Sequence, residues 1–271
     1  MKWMAIGCIL LLMSAGVATG ASSGKAHFSI SYKGSWQNFN PVNLGSVLER
    51  SYNEIDYYLG TCPEDIKVVI IKKKEMDKLG EYVEAFSAWN KKSSAIVIRE
   101  ETLDDPDSLE VVVKHELCHL GLNNILASKE GKGFEWMEEG ICMLLSKEPL
   151  DDGKVSRSIM KNGFLTYREI AKSVDSDEYS VTKNGYIQSY SLCKYIATKF
   201  GVKTLIDIFK HPGPDFEDAF KDSTGVDFSR TYKEWQYNVM ASSARDSRSG
   251  VNFQRSIDLN LLGEWDEIMA R

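Results

Sequence analysis

The sequence has few of the features that mark disordered, fibrous or nucleic-acid-binding proteins. Its 271 residues include only six prolines, and they contain no internal repeat and no low-complexity tract. The 39 acidic residues outnumber the 33 basic ones, and no basic stripe is present to neutralise phosphates. With 43% hydrophobic and 27% charged residues, the composition is that of an ordinary folded chain. We expect one large domain or two small ones, and no nucleic-acid partner.

Long apolar runs are also scarce, and the run at the N-terminus is too short to span a membrane. Lys2 precedes an apolar run over residues 4–13, and Ala18 and Gly20 precede a candidate cleavage site. A spanning helix needs roughly 20 apolar residues, and no later segment is long enough. The pattern is typical of a secretory signal peptide over residues 1–20. We expect a secreted or extracytoplasmic protein without a membrane span; a retained membrane anchor is the alternative.

Signal removal leaves four cysteines, which fit either disulfides or buried thiols. An extracytoplasmic compartment permits disulfides, and four cysteines allow three pairings. A domain of this size can also build its core without disulfides, and a thiol in an apolar helical pattern behaves as a small hydrophobic group. The spacing leaves both alternatives open for Cys62, Cys118, Cys142 and Cys193.

The first half of the chain combines strand and helix patterns. Residues 27–32 alternate apolar and polar side chains, which predicts a half-buried strand. Apolar residues at helical spacing predict a helix over residues 42–59 that ends at Gly60. The β-branched run at residues 66–71 is typical of a central strand buried on both faces. Residues 84–99 have the pattern of a hairpin with a polar turn.

The second half is predominantly helical. The predicted helices cover residues 106–122, 134–145, 186–200, 202–209, 216–221 and 228–244, and a short one in the first half covers 73–79. Polar, glycine-containing segments that begin at Ser128 and Leu150 are predicted to be connecting loops. A sheet-rich front and a helical back predict an α+β protein, with any cleft where the two meet. We expect one domain over residues 21–245 and a tail over 246–271 that ends in a short amphipathic helix.

The pentapeptide HELCH lies in the helix that is predicted to begin at Asp105 and Pro106. His115 and His119 are four residues apart, so they project from one helix face and can hold one metal ion. Neutral imidazoles are good zinc ligands, and a site with three protein ligands leaves a position for water. Beside them, Glu116 can take the proton of that water as it attacks a carbonyl group. A helix with two solvated histidines is the alternative.

The next helical pattern, FEWMEEGICMLL, supplies a candidate third ligand. Glu139 follows His119 by twenty positions, and Gly140 has no side chain, so it would let the two helices approach closely. Two adjacent carboxylates cannot both face one metal ion, which makes Glu138 a solvated residue in this interpretation. The alternative is that Glu139 is itself a solvated helix carboxylate.

HELCH followed by WMEEG resembles the gluzincin metallopeptidases, and among them the peptidase MA-like group. The segments YIQSYSLCKYIATKFG and DFEDAFKDSTGVDFSRTYKEW extend the likeness over roughly residues 28–235. The resemblance implies a zincin-like fold whose active-site helix lies between a small sheet-rich part and a helical part. It also implies zinc held by His115, His119 and Glu139, with Glu116 as the base. Aminopeptidase relatives commonly have Asn at the position of Glu138, so this residue is a departure.

The resemblance further implies a tyrosine that donates a hydrogen bond to the oxyanion formed during carbonyl attack. Tyr186 and Tyr190 are the candidates because they lie four residues apart on one predicted helix face, although each can equally be a core aromatic. The segment AFSAW occupies the place where gluzincins have an edge strand that holds an extended peptide. It can equally be an ordinary strand.

These observations favour a secreted zinc metallopeptidase that acts on a peptide or protein. In this interpretation, Zn²⁺ polarises the scissile carbonyl and activates water, Glu116 transfers the proton and a tyrosine stabilises the oxyanion. The rival interpretation is a non-catalytic extracytoplasmic module that binds zinc or protein on the same scaffold. A third is an interaction module whose motif is fortuitous and which binds no metal. Glu116 favours the enzyme, because a purely structural zinc site has no chemical need for that carboxylate.

Specificity for a free amino terminus is expected to be weak. The resemblance implies that an anchor for the substrate amine would include a glutamate in this hairpin, where aminopeptidase gluzincins have one. No carboxylate lies between Ala85 and Ile98, and leaving a substrate ammonium group unpaired is costly. Three carboxylates elsewhere could substitute: Glu84, Glu100 and Glu138. The remaining histidines, His27 and His211, and the lysines at 72–74 are expected to be surface or capping residues.

Overall fold

A computed structural model describes residues 27–32, 41–78, 83–90, 93–126, 133–213 and 215–248. Four strands and ten α-helices occur in these residues, which confirms the α+β class. In chain order they are β1 (Phe28–Tyr32), α1 (Pro41–Leu59), β2 (Ile66–Ile71), α2 (Lys73–Met76), β3 (Ala85–Asn90), β4 (Ser93–Arg99), α3 (Pro106–Leu126), α4 (Glu135–Leu145), α5 (Asp152–Asn162), α6 (Tyr167–Val174), α7 (Tyr179–Phe200), α8 (Val202–Lys210), α9 (Phe216–Thr224) and α10 (Phe228–Arg248).

Several expectations fall outside the described residues. They are the signal peptide at 1–20, the loop that begins at Ser128 and the amphipathic helix in the tail. The extent of the domain, residues 21–245, stays a prediction. None of the helices in the described ranges is long and apolar enough to cross a membrane.

The four strands form one mixed sheet in the order β1-β2-β4-β3. β1, β2 and β4 are parallel, and β3 pairs antiparallel with β4, which confirms the predicted hairpin. β2 is central, as expected, and its side chains Ile66, Val68 and Ile70 are fully buried. On the opposite face, Lys67 and Val69 are half-buried and Ile71 is buried, so the expectation that β2 is buried on both faces holds only in part.

Helices α1 and α3 pack against each other and share one apolar core with the buried face of the sheet. The start of α3 is capped as predicted, because Oδ1 of Asp105 accepts hydrogen bonds from the backbone N–H groups of Asp107 and Ser108. Pro106 occupies the first helical position, where a missing N–H has no cost. Gly60, with φ +59°, ends α1 as predicted. The helix that carries HELCH is therefore fixed at its start and packed along its length.

The segment after Leu150 is a helix, so the predicted loop is wrong. α5 begins at Asp152 because the side chain of Asp151 accepts a hydrogen bond from the backbone N–H of Lys154 at 2.7 Å. The polar composition of the segment favoured a loop in the prediction. Asp151 is instead an N-terminal cap, which satisfies one of the free N–H groups at a helix start.

Two further helical stretches lie outside the predicted ranges. α6 begins with a capping box in which Thr166 and Glu169 bond to each other's backbone. α7 begins at Tyr179 rather than Tyr186. Residues 179–184 are exposed or half-buried, so they carry no buried apolar face that a pattern would reveal.

The four cysteines of the described chain are free and buried, as in the buried-thiol alternative: Cys62, Cys118, Cys142 and Cys193. Burial raises the pKa of the Cys62 thiol to about 12, so that thiol is neutral at physiological pH. The core is built from close packing rather than from cross-links.

Gly140 is the point at which α4 approaches α7. A Cβ atom at this position would lie 2.5 Å from Sγ of Cys193 and 2.6 Å from the carbonyl oxygen of Ser189, and both residues are on α7. The expectation that Gly140 brings the two metal-site helices together is therefore wrong. Its missing side chain instead admits the backbone of α7, the helix that carries both candidate tyrosines.

We expect Gly140→Ala to lower the free energy of unfolding by about 1–3 kcal/mol, because the methyl group overlaps backbone that cannot move easily. Gly45→Ala is the matched control: it lies inside α1, and nothing lies within 4 Å of its added Cβ. That control should stabilise the protein by up to about 1 kcal/mol, the helix preference of Ala over Gly. Urea unfolding of both variants tests this, and equal effects at the two positions would contradict the packing described.

Candidate metal centre

His115, His119 and Glu139 come together where α3 and α4 cross. The two Nε2 atoms of the histidines are 3.1 Å apart. Oε2 of Glu139 lies 3.7 Å from Nε2 of His115 and 3.5 Å from Nε2 of His119. Ligands at about 2.0–2.1 Å from a tetrahedral zinc ion are separated from each other by about 3.4 Å. The three donor atoms thus have the spacing of three corners of a zinc site, and these residues could hold a metal ion.

The other ring nitrogen of each histidine is bound to a carboxylate. Nδ1 of His115 lies 2.8 Å from Oε1 of Glu148, and Nδ1 of His119 lies 2.7 Å from Oε1 of Glu138. An ionised carboxylate only accepts hydrogen bonds, so each Nδ1 carries a proton and donates it. In a neutral imidazole, Nε2 then presents its lone pair towards the centre. Carboxylates orient the histidine ligands of many metal sites in this way.

The expectation that Glu138 is solvated is wrong. Its side chain is 1% exposed, and that of neighbouring Glu139 is 2% exposed. Both carboxylates face His119, but from different sides of the ring: Glu139 is nearest Nε2, and Glu138 binds Nδ1. Of the two adjacent carboxylates, only that of Glu139 thus supplies one of the three donor atoms, as the sequence argument required.

The carboxylates make this a site for positive charge. Burial lowers the pKa of His115, but the carboxylates of Glu139 and Glu148 outweigh burial and raise that pKa to about 9. Burial also acts against charge on His119, and there Cys142, Glu139 and Glu138 raise the pKa well above its ordinary value. The buried carboxylates thus favour positive charge at the imidazoles.

Glu116 lies on α3 next to His115 and is 8% exposed. Its negative charge adds to the raised pKa of His115. Within the ranges that the structure describes, no hydrogen bond or ion pair holds the Glu116 carboxylate, unlike those of Glu138 and Glu148. A carboxylate in this state can accept a proton from a bound molecule. Its role as general base stays a prediction.

The two candidate tyrosines differ in their surroundings. Tyr190 is 5% exposed, and its hydroxyl oxygen accepts a hydrogen bond from Nζ of Lys194 at 3.4 Å. Lys194 in turn contacts both carboxylate oxygens of Asp152, at 2.8 Å and 2.9 Å. Burial raises the pKa of Tyr190, Lys194 opposes this, and the charges of Asp152 and Glu148 add to it. Tyr186, one helical turn earlier, is half-buried.

The remaining histidines have the structural roles expected of them. Nδ1 of His27 lies 2.7 Å from Oε2 of Glu49, and its ring stacks on Tyr52. Nδ1 of His211 accepts a hydrogen bond from the backbone N–H of Gly213 in a turn. The side chains of lysines 72–74 are exposed, again as expected.

Two of the three carboxylates that could have replaced a missing amine anchor are engaged in other interactions. Glu138 binds His119, and Glu100 accepts a hydrogen bond from the hydroxyl of Tyr32. Glu84 is exposed at the start of the hairpin. The structure also adds a residue that the sequence pattern did not reveal, Glu148, which lies beyond the end of α4.

Comparison with known proteins places these residues in a family context. The chain matches the family described as Peptidase MA superfamily over residues 52–241, which is most of its length. The matched span includes α3, α4 and α7, and therefore the three metal-donor residues and both tyrosines. It confirms the family resemblance inferred from HELCH and WMEEG. No curated protein matches the chain.

Proposed function

We propose that this chain, which belongs to the Peptidase MA superfamily, is a zinc-dependent peptidase with Glu116 as its general base. The observation that carries the proposal is the triangle of donor atoms from His115, His119 and Glu139, in which both histidines direct Nε2 inward. A sheet followed by the HELCH helix and then by the Glu139 helix also supports a zincin-like arrangement. A secreted location follows only from the signal-like residues 1–20.

Two neutral imidazoles and one carboxylate form a donor set that suits zinc in hydrolases. His115, His119 and Glu139 would hold the ion, with Glu148 and Glu138 orienting the histidines. When bound, zinc supplies the Lewis acidity that polarises a carbonyl group and makes water more acidic. The negative charges of the buried carboxylates Glu138 and Glu139 would balance the positive charge of the ion.

Glu116 moves the proton in this reaction. Its carboxylate accepts a proton from the water that attacks the scissile carbonyl carbon, and passes that proton to the amide nitrogen as the C–N bond breaks. The role suits its position beside His115 and outside the donor triangle. It also suits a carboxylate that no other described residue holds.

Tyr186 is the better candidate for stabilising the oxyanion. A hydrogen-bond donor must reach the carbonyl oxygen of a bound substrate, which requires access from the site. Tyr186 is half-buried, whereas Tyr190 is almost fully buried. Tyr190 then packs beneath Tyr186 as part of the supporting structure.

Strand β3 is the proposed place for the substrate backbone. It lies at the edge of the sheet, pairs with β4 along one side and packs against α3, the helix that carries HELCH. An extended peptide can add to the other side of such a strand through main-chain hydrogen bonds. These bonds do not depend on side-chain identity, so they favour peptide substrates in general.

Metal analysis and two substitutions test the proposal together. We expect one zinc ion per chain, no zinc in His119→Ala, and unchanged zinc in Glu116→Gln, because Glu116 is not a ligand. Hydrolysis of a peptide library by Glu116→Gln should fall by about a hundredfold or more. Equal cleavage by Glu116→Gln and the wild-type protein would contradict the assignment of Glu116 as the general base. Wild-type protein that binds zinc but cleaves no peptide would favour the non-catalytic alternative.

The two tyrosines can be separated by replacing each with Phe. Tyr186→Phe should lower kcat by about 100-fold or more, because one oxyanion hydrogen bond is lost, and should leave the zinc content unchanged. Tyr190→Phe is the matched control, since it removes the same hydroxyl group from a buried position on the same helix. A larger loss of kcat in Tyr190→Phe would reverse the assignment.

A free amino terminus should not be required for cleavage. The structure leaves Glu138 and Glu100 in other interactions, so neither is available to bind a substrate ammonium group. We expect one peptide with a free and with an acetylated amino terminus to be cleaved at similar kcat/KM. A preference of about a hundredfold for the free form, equivalent to about 2.7 kcal/mol, would show that an amine anchor exists.

A further inference from the structure

We infer that Glu148 positions His115 for metal binding, and that Glu54 on α1 anchors the turn from which Glu148 projects. The inference rests on the proposed zinc site, but it concerns residues outside the donor triangle. It assigns a metal-site role to an ion-pair network that joins α1, α3 and the end of α4.

The turn that ends α4 directs Glu148 back towards α3. The backbone N–H of Lys147 bonds to the carbonyl of Leu144, and the N–H of Glu148 bonds to the carbonyl of Met143, each at 3.2 Å. This pair of bonds is the Schellman pattern of helix termination. The chain reverses there, and Oε1 of Glu148 reaches Nδ1 of His115 at 2.8 Å.

Lys147 is an unusual residue for this turn. Its φ is 59°, and it is the only non-glycine residue with a positive φ among those described. Glycine is common at this position because a Cβ atom is disfavoured there. A lysine can make a contact here that a glycine cannot: Nζ of Lys147 lies 3.0 Å from Oε1 of Glu54.

Glu54 connects the neighbours of both members of the His115–Glu148 pair. One of its oxygens binds Lys147, which precedes Glu148, and the other lies 2.5 Å from Nζ of Lys114, which precedes His115. These contacts close a ring. It consists of the His115–Glu148 hydrogen bond, the two ion pairs of Glu54, and the peptide bonds that join Lys114 to His115 and Lys147 to Glu148. Lys114 is nearly fully buried, so this ring is held from inside the protein.

This ring of contacts explains how Glu148, on a solvent-accessible turn, can hold the proposed ligand His115 in a fixed orientation. Glu148 lies at a helix end, where a side chain can adopt several rotamers. If Glu148 changed rotamer, it would no longer restrain the His115 ring. Anchoring the backbone on both sides of the hydrogen bond restricts that rotation. It also keeps the proton on Nδ1, so Nε2 stays a metal donor.

Replacing Glu148 tests the first step. Glu148→Ala should weaken zinc binding by about 10- to 100-fold, the usual effect of losing a carboxylate that orients a histidine ligand. Glu148→Gln keeps an acceptor oxygen and should recover part of that loss. The control is Glu101→Ala, which removes one exposed carboxylate from the short helical turn before α3. Zinc affinity is measured by competition with a chromophoric chelator.

Replacing Lys147 tests the anchor. Lys147→Ala removes the bond to Glu54 but leaves the Lys114–Glu54 pair intact, and Lys147 is 56% exposed, so the fold should tolerate the change. Zinc affinity should fall by about two- to fivefold, the range for a partly exposed ion pair. In the Glu148→Ala background, the same substitution should have no further effect, because the anchor acts through Glu148.

The outcomes separate this inference from the proposed function. If wild-type protein binds zinc and Glu148→Ala binds it within twofold as tightly, the inference is overturned and the zinc site stands. Additive losses from Lys147→Ala and Glu148→Ala would overturn the role of the anchor. Wild-type protein that takes up no zinc would overturn the proposed function and this inference with it.

Discussion

The structure around the candidate site depends on the burial of carboxylates beside two imidazoles. Glu138 and Glu139 are adjacent and almost fully buried, an arrangement that costs several kcal/mol per charge unless each finds a positive partner. Histidines of the facing helix lie beside both carboxylates, so positive charge between α3 and α4 stabilises their crossing. Protons on the imidazoles can supply that charge, and so can a divalent ion. The candidate metal site is thus part of the core at this crossing.

The residues that the sequence predicted are those defined by local spacing. His115 and His119 share a helix face because four residues separate them, and Asp105 followed by Pro106 is a sequence signal for the start of a helix. Glu139 followed from its place in the resemblance to the family motif. Each of these predictions needs only the geometry of a single helix or a short sequence string.

The residues that the sequence did not reveal depend on how elements pack or end. Glu138 and Glu139 are neighbours, and only the crossing of two helices decides that one faces Nε2 and the other Nδ1 of His119. Glu148 reaches His115 through a turn whose left-handed residue is Lys147, where the usual sequence signal would be glycine. Gly140 was recognised as a point of close approach, but the pattern could not say which helix would approach it.

Helix α4 links the proposed metal ligands to the proposed oxyanion donor. Nine of its eleven residues are buried, and it packs against α3 along one side and against α7 along another. Because Gly140 lets the α7 backbone approach closely, the separation between Glu139 and Tyr186 is set by direct packing rather than by a loop. Catalytic groups on packed helices are held more precisely than groups on loops. Adaptation to different peptides would then fall to the edge strand β3, where main-chain hydrogen bonds tolerate any side chain.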